Sequence, residues 1–235
     1  MFQGDHPEVG HAVGRAVAMA RELGHPRTGS EHLLLALSAS GGALGAVLGR
    51  LGVTGTAVRE AACRAAPLGA GAAADRDTLT PLGIDLDAVM SRLSPAVLDR
   101  VSVREPLLPL GASRSRRACA RMSPPLGLDA QAIYEASLRL ALARRERQHR
   151  PEHLALSIVA LDPGTAWVLN SAGVDAAALL ADLASAFPPP KRNLLLRAER
   201  QLGRRSRRDD LVRRYQRTAG RAATSGSAIS ALIAG

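Results

Sequence analysis

Two stretches of the chain set a carboxylate beside an imidazole at the mouth of an apolar run. Residues 27–37 read RTGSEHLLLAL, with Glu31 and His32 leading into leucines. Residues 149–161 read HRPEHLALSIVAL, with Glu152 and His153 in the same places. A helix N-terminus presents free N–H groups and a partial positive charge, so it draws phosphate and other anions. A carboxylate beside it draws a guanidinium, best as a bidentate pair. The competing reading is structural. An acidic residue in the first turn stabilises the helix dipole, Ser30 acts as an N-cap, and His32 and His153 are packed or capping imidazoles.

Other catalytic patterns are missing. There is no Gly-x-Ser-x-Gly elbow and no His-Glu-x-x-His pair. His25 with Glu31 and His32 suggests a metal, but no cysteine or further histidine has supporting spacing, so no metal and no cofactor is expected. Cys63 lies among alanines and reads as a small core residue. Asp85 and Asp87 flank Leu86 at a helix start, where they complement the dipole. Cys63 and Cys119 do not form a disulfide framework, which favours a reduced, cytoplasmic setting. No secretion signal and no apolar run of about 20 residues is evident, so no transmembrane insertion is expected.

These residues must be positioned by helices. Hydrophobic residues make up 46% of the 235-residue chain and aromatics only 2%, so the core is built from Ala, Leu and Val. No alternating β-branched run argues for a strand, and the fold class is all-α. Placing Glu31 on Glu152 is a shift of 121, and without a gap it lays Leu33 on Leu154, Leu48 on Leu169 and Gly52-Val53 on Gly173-Val174. The chain therefore contains a duplicated unit. Each copy reads as four helices. In the first, the apolar spacing of Val9, Ala12, Val13, Ala16 and Ala20 ends at Gly24; a second helix opens at Ser30; a third stops at Gly52; a fourth starts near Thr54 as its cap. Asp175 is the corresponding cap in the second copy. Helices this short need a shared core.

Residues 67–80, rich in Ala and Gly, read as connector, and residues 82–93 as a short helix. Residues 104–127, with Pro, Ser and an Arg-Ser-Arg-Arg run, read as a mobile loop. The division is thus 1–66 for the first repeat, 67–127 for the connector, 128–187 for the second repeat and 188–235 for a basic tail. That tail is dense in arginine but keeps helical spacing at Leu194, Ala198 and Leu202 and again at Leu211, Tyr215 and Ala219.

The stretch ELGHPRTGSEHLLLAL followed by LGRLGV resembles the N-terminal domain of Clp unfoldases of the ClpC type. That domain is a pseudo-twofold duplication of four-helix units, each opening its second helix with Gly-[Thr/Ser]-Glu-His-Leu-Leu. The opening Met-Phe fits, and LGIDLDAV is similar to the connector of standalone actinobacterial members. The likeness runs over about residues 8–187. The second unit departs at Pro151, which stands where Thr or Ser is usual, and at Arg144, Arg145 and Glu146, which stand in place of Leu-Gly-His. The likeness does not reach the family's ATPase modules: the sole lysine, Lys191, follows three prolines and belongs to no P-loop, so no ATP hydrolysis is expected.

The resemblance implies a non-enzymatic binding module of the Clp proteolytic system, with Clp unfoldase or protease components and substrate or adaptor proteins as partners. It implies phosphoarginine as a ligand, with Glu31 on the guanidinium, Thr28, Gly29 and Ser30 cradling the phosphate, His32 beside them, and Glu152 and His153 as the counterpart. Pro151 has no N–H, so the second cradle lacks one donor. It also implies cyclic-peptide ligands and a sequestering role, with Phe2 as a candidate contact. A different class of function rests on charge. The net charge is +10, nearly all from arginine, and the tail suits nucleic acid through phosphate contacts. Tyr215 is the tail's lone base-stacking residue, which disfavours sequence-specific RNA reading.

Overall fold

The computed structural model describes residues 3–92 and 121–190. Phe2, the Arg-Ser-Arg-Arg run and the basic tail from Lys191 onward lie outside the described residues. Ten α-helices, a 3₁₀ turn and no strand are present among the described residues. The first repeat comprises α1 (Pro7–Glu22), α2 (Ser30–Ser38), α3 (Gly42–Arg50) and α4 (Gly55–Arg64). Two connector helices follow, α5 (Ala70–Leu79) and α6 (Leu86–Arg92), with the 3₁₀ turn Thr80–Leu82 between them. The second repeat comprises α7 (Leu128–Arg144), α8 (Pro151–Leu161), α9 (Pro163–Ser171) and α10 (Ala176–Ala186). Each helix of the second repeat starts 121 residues after its counterpart: 7 to 128, 30 to 151, 42 to 163 and 55 to 176.

Local chemistry sets the helix ends. Thr54 and Asp175 cap α4 and α10 by accepting the N–H groups of Ala57 and Ala177. Gly24 follows α1 at φ +69°, a left-handed conformation that lacks a penalty only for glycine. Its counterpart Arg145 ends α7 at φ +58°, so the second repeat keeps the turn with a side chain that resists it. One helix start differs from expectation. Gly29 is the N-cap of α2, and its N–H donates to His32 Nδ1 at 3.0 Å. Ser30 is the first helical residue, not the cap.

Helices α2 and α8 are buried nearly all round and form the centre of the molecule. Leu33, Leu34, Leu35 and Leu37 are at most 2% exposed, as are Leu154, Leu156, Ile158 and Leu161. Each such side chain contributes about 1.5–3 kcal/mol by leaving water. Around this centre the repeats interlock: α1 contacts α8, α7 contacts α2, α3 packs on α10 and α4 on α9. No helix among the described residues is long and apolar enough to cross a membrane.

Three expectations are corrected. The Ala/Gly-rich stretch after α4 is not bare connector, because its small side chains let α5 lie close against α9. A Cβ on Gly164 would come within 2.7 Å of the Gly71 backbone nitrogen. Cys63 is exposed, since the buried face of α4 is carried by Val58, Ala61 and Ala62. The end of the stretch expected to be a mobile loop is also tied down. Thr28 N–H donates to Pro125 O and Gly127 N–H to Thr28 O, at 2.9 and 3.0 Å, and the Arg21 guanidinium holds Ser123 O. The N-terminal segment makes the mirror-image contact. Gln3 N–H donates to Arg147 O, His6 N–H to His149 O and His149 N–H to Gly4 O. Each repeat's entry arm is thus fastened to the other repeat.

Candidate functional site

The Glu31 carboxylate forms part of the floor of a cleft of about 380 Å³. It arrives there because Gly29 caps α2 and the chain folds the Glu31 side chain back over two glycines. A Cβ on Gly29 would stand 2.4 Å from Glu31 Oε2, and one on Gly69, the N-cap of α5, would stand 3.2 Å from Oε1. Glu31 is 1% exposed, and its Oε2 atom has no hydrogen-bond partner among the described residues. Burial opposes its charge, yet the carboxyl is held below its ordinary 4.5. His32 Nδ1 lies 3.2 Å from Oε1, but the Gly29 N–H already claims that nitrogen's lone pair. Among the groups that oppose burial and hold the carboxyl low, His32 counts most, followed by the backbone N–H of Glu31 itself and by His25.

The donors expected to cradle a phosphate are already engaged. Ser30 N–H donates to Asp129 Oδ2 at 2.8 Å, and Ser30 Oγ donates to buried Asp162 Oδ2 at 2.5 Å. Gly29 N–H goes to His32, and Thr28 bonds to Pro124 O and Pro125 O through its hydroxyl and N–H. The structure brings Thr28, Gly29, Ser30, Glu31 and His32 together, but as a closed set of hydrogen bonds whose anion site is filled by the chain's own Asp129.

The second repeat reuses the cap. Arg150 N–H donates to His153 Nδ1 at 3.0 Å, and His153 Nε2 faces Glu146 Oε1 at 2.9 Å. Burial pushes the Glu146 carboxyl up, but His153, Arg144 and Arg150 outweigh it and hold it low. Glu152 Oε2 is likewise buried and without a hydrogen-bond partner among the described residues. At the position of Glu146 the first repeat has His25, and burial followed by the His32 ring push His25 below its ordinary 6.5.

Residues 7–100 match the family model of the Clp repeat (R) N-terminal domain. This stretch carries a Clp repeat N-terminal domain. No curated protein matches the chain. Among solved structures, the N-terminal domain of the caseinolytic protease associated chaperone ClpD from Arabidopsis thaliana is 18% identical, with a TM-score of 0.44, covering 74% of this chain and 88% of that one.

In this Clp repeat domain His25, Glu31 and His32 each offer a ligand atom within 4.8 Å of the others, the grouping that a metal would use. The hydrogen bonds argue otherwise. Because His32 Nδ1 accepts the Gly29 N–H, the ring proton sits on Nε2, which leaves no lone pair there for a cation. His153 has the same arrangement, with Nε2 turned to a carboxylate. A second constellation looks catalytic and is structural. His149 places Nδ1 2.8 Å from Asp5 Oδ1 and Nε2 2.8 Å from Ser137 Oγ. Ser137 is wholly buried and its hydroxyl donates to Tyr134 O, so it cannot meet a substrate. The relay, with Tyr134 OH on Asp5, fastens the N-terminal arm.

Around the cleft, the connector contributes what the Glu-His motif did not reveal. Gly69, Asp75, Leu86 and Met90 line it from α5 and α6, and Leu128 and Asp129 from the start of α7. These residues are distant in sequence and meet only through the interlocked fold.

Proposed function

We propose that this chain is a non-enzymatic binding module of the Clp proteolytic system, acting in the cytoplasm. It recognises substrate or adaptor proteins at the cleft over Glu31 and either delivers them to a Clp unfoldase or withholds them. The observation that supports this most is the buried Glu31 carboxylate, with an oxygen that has no hydrogen-bond partner among the described residues, at the floor of a cleft in the stretch that matches the Clp repeat domain. A cleft of this size admits one or two side chains of an extended segment. The phosphoarginine reading keeps its guanidinium contact at Glu31, with Glu152 and His153 as the second-repeat counterpart, but its phosphate would have to displace Asp129 from the Ser30 N–H. The cyclic-peptide reading places an apolar ligand against the exposed Leu68 and Leu128 at the same cleft.

The test is a reconstituted Clp unfoldase–peptidase degrading a model substrate, with and without this chain. A changed degradation rate that returns to baseline with Glu31→Gln supports the proposal. No change in rate and no binding to unfoldase or substrate refutes it. The alternative, nucleic-acid association through the basic tail, draws on the net charge of +10. DNA affinity that falls steeply with salt and disappears on truncation at Pro188 would favour it.

A further inference from the structure

We infer that residues 191–202, the first part of the basic tail, dock on the exposed face of α3 and serve there as the counterpart of α5. The pseudo-twofold plan singles out this face. Helix α4 packs on α9 and, with the repeats exchanged, α10 packs on α3. Helix α5 also packs on α9. The matching place on α3 lies exposed.

Burial marks that place residue by residue. On α9, Gly164 is buried and Pro163 and Trp167 are partly covered. Their counterparts 121 residues earlier, Gly42, Ala43 and Ala46, are all exposed. The remaining six positions of the two helices agree pair by pair in their burial. The covered positions on α9 are where α5 lies. A Cβ on Gly164 would come within 2.7 Å of the Gly71 backbone nitrogen, and Trp167 Nε1 donates to Asp77 Oδ2 at 2.8 Å. Residues 42, 43 and 46 share one side of α3, because positions four apart on a helix are neighbours. From Gly41 to Gly49 no polar side chain occurs, so the seat is apolar and gains by leaving water.

The chain supplies the occupant. The shift of 121 carries α5, Ala70–Leu79, onto residues 191–200, and it lays Pro67 on Pro188. Pro190, the last described residue before the tail, is the counterpart of Gly69, the N-cap of α5. The chain therefore leaves the described fold at the point from which α5 sets out. Side-chain sizes are exchanged between the two seats. Where α9 has Trp167, α3 has Ala46; where α5 has Ala73 and Ala74, the tail has Leu194 and Leu195. Large against small fills space in both pairs. Lys191, Arg192, Arg197 and Arg200 can lay their stems along the seat and keep their charges in water. Seated in this way, the segment stands beside the start of α8 as α5 stands beside the start of α2. Residues 204–221, with eight of the tail's twelve basic side chains, lie beyond the seat.

The experiment is trypsin digestion of the full chain, with each cleavage followed by mass spectrometry. A docked segment must lift off before it is cut, so cleavage after Arg197 and Arg200 is expected to be about tenfold slower than after Arg204, Arg213 and Arg217. Ala46→Glu puts a charge in the seat but can point into water on a bare α3. It should speed the two slow cleavages about tenfold and leave the others unchanged, with helical ellipticity confirming the fold. A variant without added charge reads the same seat. In a chain carrying Cys63→Ser and Cys119→Ser, the thiol of Ala46→Cys should react with a maleimide about tenfold faster once Leu194→Ser, Leu195→Ser and Leu196→Ser are added. Equal cleavage along the unmodified tail overturns the inference, and that comparison needs no variant. Protection that Ala46→Glu leaves intact, or a thiol rate that the serines leave unchanged, overturns it as well. Protection that grows with protein concentration assigns the seat to the tail of a second copy and also overturns it.

Discussion

Replacing Ser30 by alanine tests whether this residue ties the two repeats together. Its hydroxyl donates to Asp162 Oδ2 at 2.5 Å across 132 residues of sequence, and both residues are 0% exposed. A buried hydrogen bond to a charged acceptor is worth about 1.5–3 kcal/mol. Alanine adds no helix penalty at this position, and Asp162 keeps its cap on α9 through the Thr165 N–H at 2.6 Å. The net loss should be about 2 kcal/mol. For a chain of this size each kcal/mol lowers Tm by about 2–4 °C, so a drop of about 4–8 °C is expected. Urea unfolding followed by helical ellipticity should show a lower midpoint with an unchanged slope. Combining Ser30→Ala with Asp162→Asn should give less than the sum of the single effects, since both remove one contact. A loss under about 0.5 kcal/mol, or strict additivity, would refute the reasoning.

Other consequences follow from the geometry. Gly164→Ala should destabilise by about 1–3 kcal/mol, because the new Cβ meets backbone of α5 that cannot step aside; urea midpoints measure it, and red-shifted Trp167 emission locates it, since the indole N–H binds Asp77 on α5. Gly69→Ala should cost about 1–3 kcal/mol, as φ +90° with ψ 168° is open essentially to glycine alone; denaturant titration checks this. Acid should weaken the fold in two stages. His25 is held below 6.5 in the folded state, so stability present above that value declines as pH falls through the folded pKa. Asp5, Glu31 and Glu146 are held below their ordinary 3.8 or 4.5, so their contribution persists above those values and is lost only at lower pH. Urea midpoints from pH 7.5 to 2.5 should show both declines.

The fold was largely legible because its main signals are local or periodic. One shift of 121 residues predicted every helix start of the second repeat from the first, and Thr54 and Asp175 declared themselves as caps through chemistry within three residues. What stayed hidden depends on partners far away in sequence. Ser30 looks like an N-cap until Asp162 is seen to take its hydroxyl. Asp129 has no visible tie to the Glu-His motif until the repeats interlock. Helix α5 escaped notice because alanine and glycine read as a linker, whereas here their small size permits close approach to α9. At the candidate site, Glu31 and His32 were evident from sequence, while the walls from α5, α6 and α7 came from segments that no motif marks.

The crossed arms have a consequence for how the molecule can be divided. Residues 3–6 complete the second repeat and residues 123–127 complete the first, so neither half carries all the parts of its own structure. Severed between residues 92 and 121, the halves should become obligate companions, each unfolded alone and recovering its shape only when mixed with the other. In the continuous chain, the covalent link makes that meeting independent of concentration. It also means that damage to either arm is felt first in the opposite repeat.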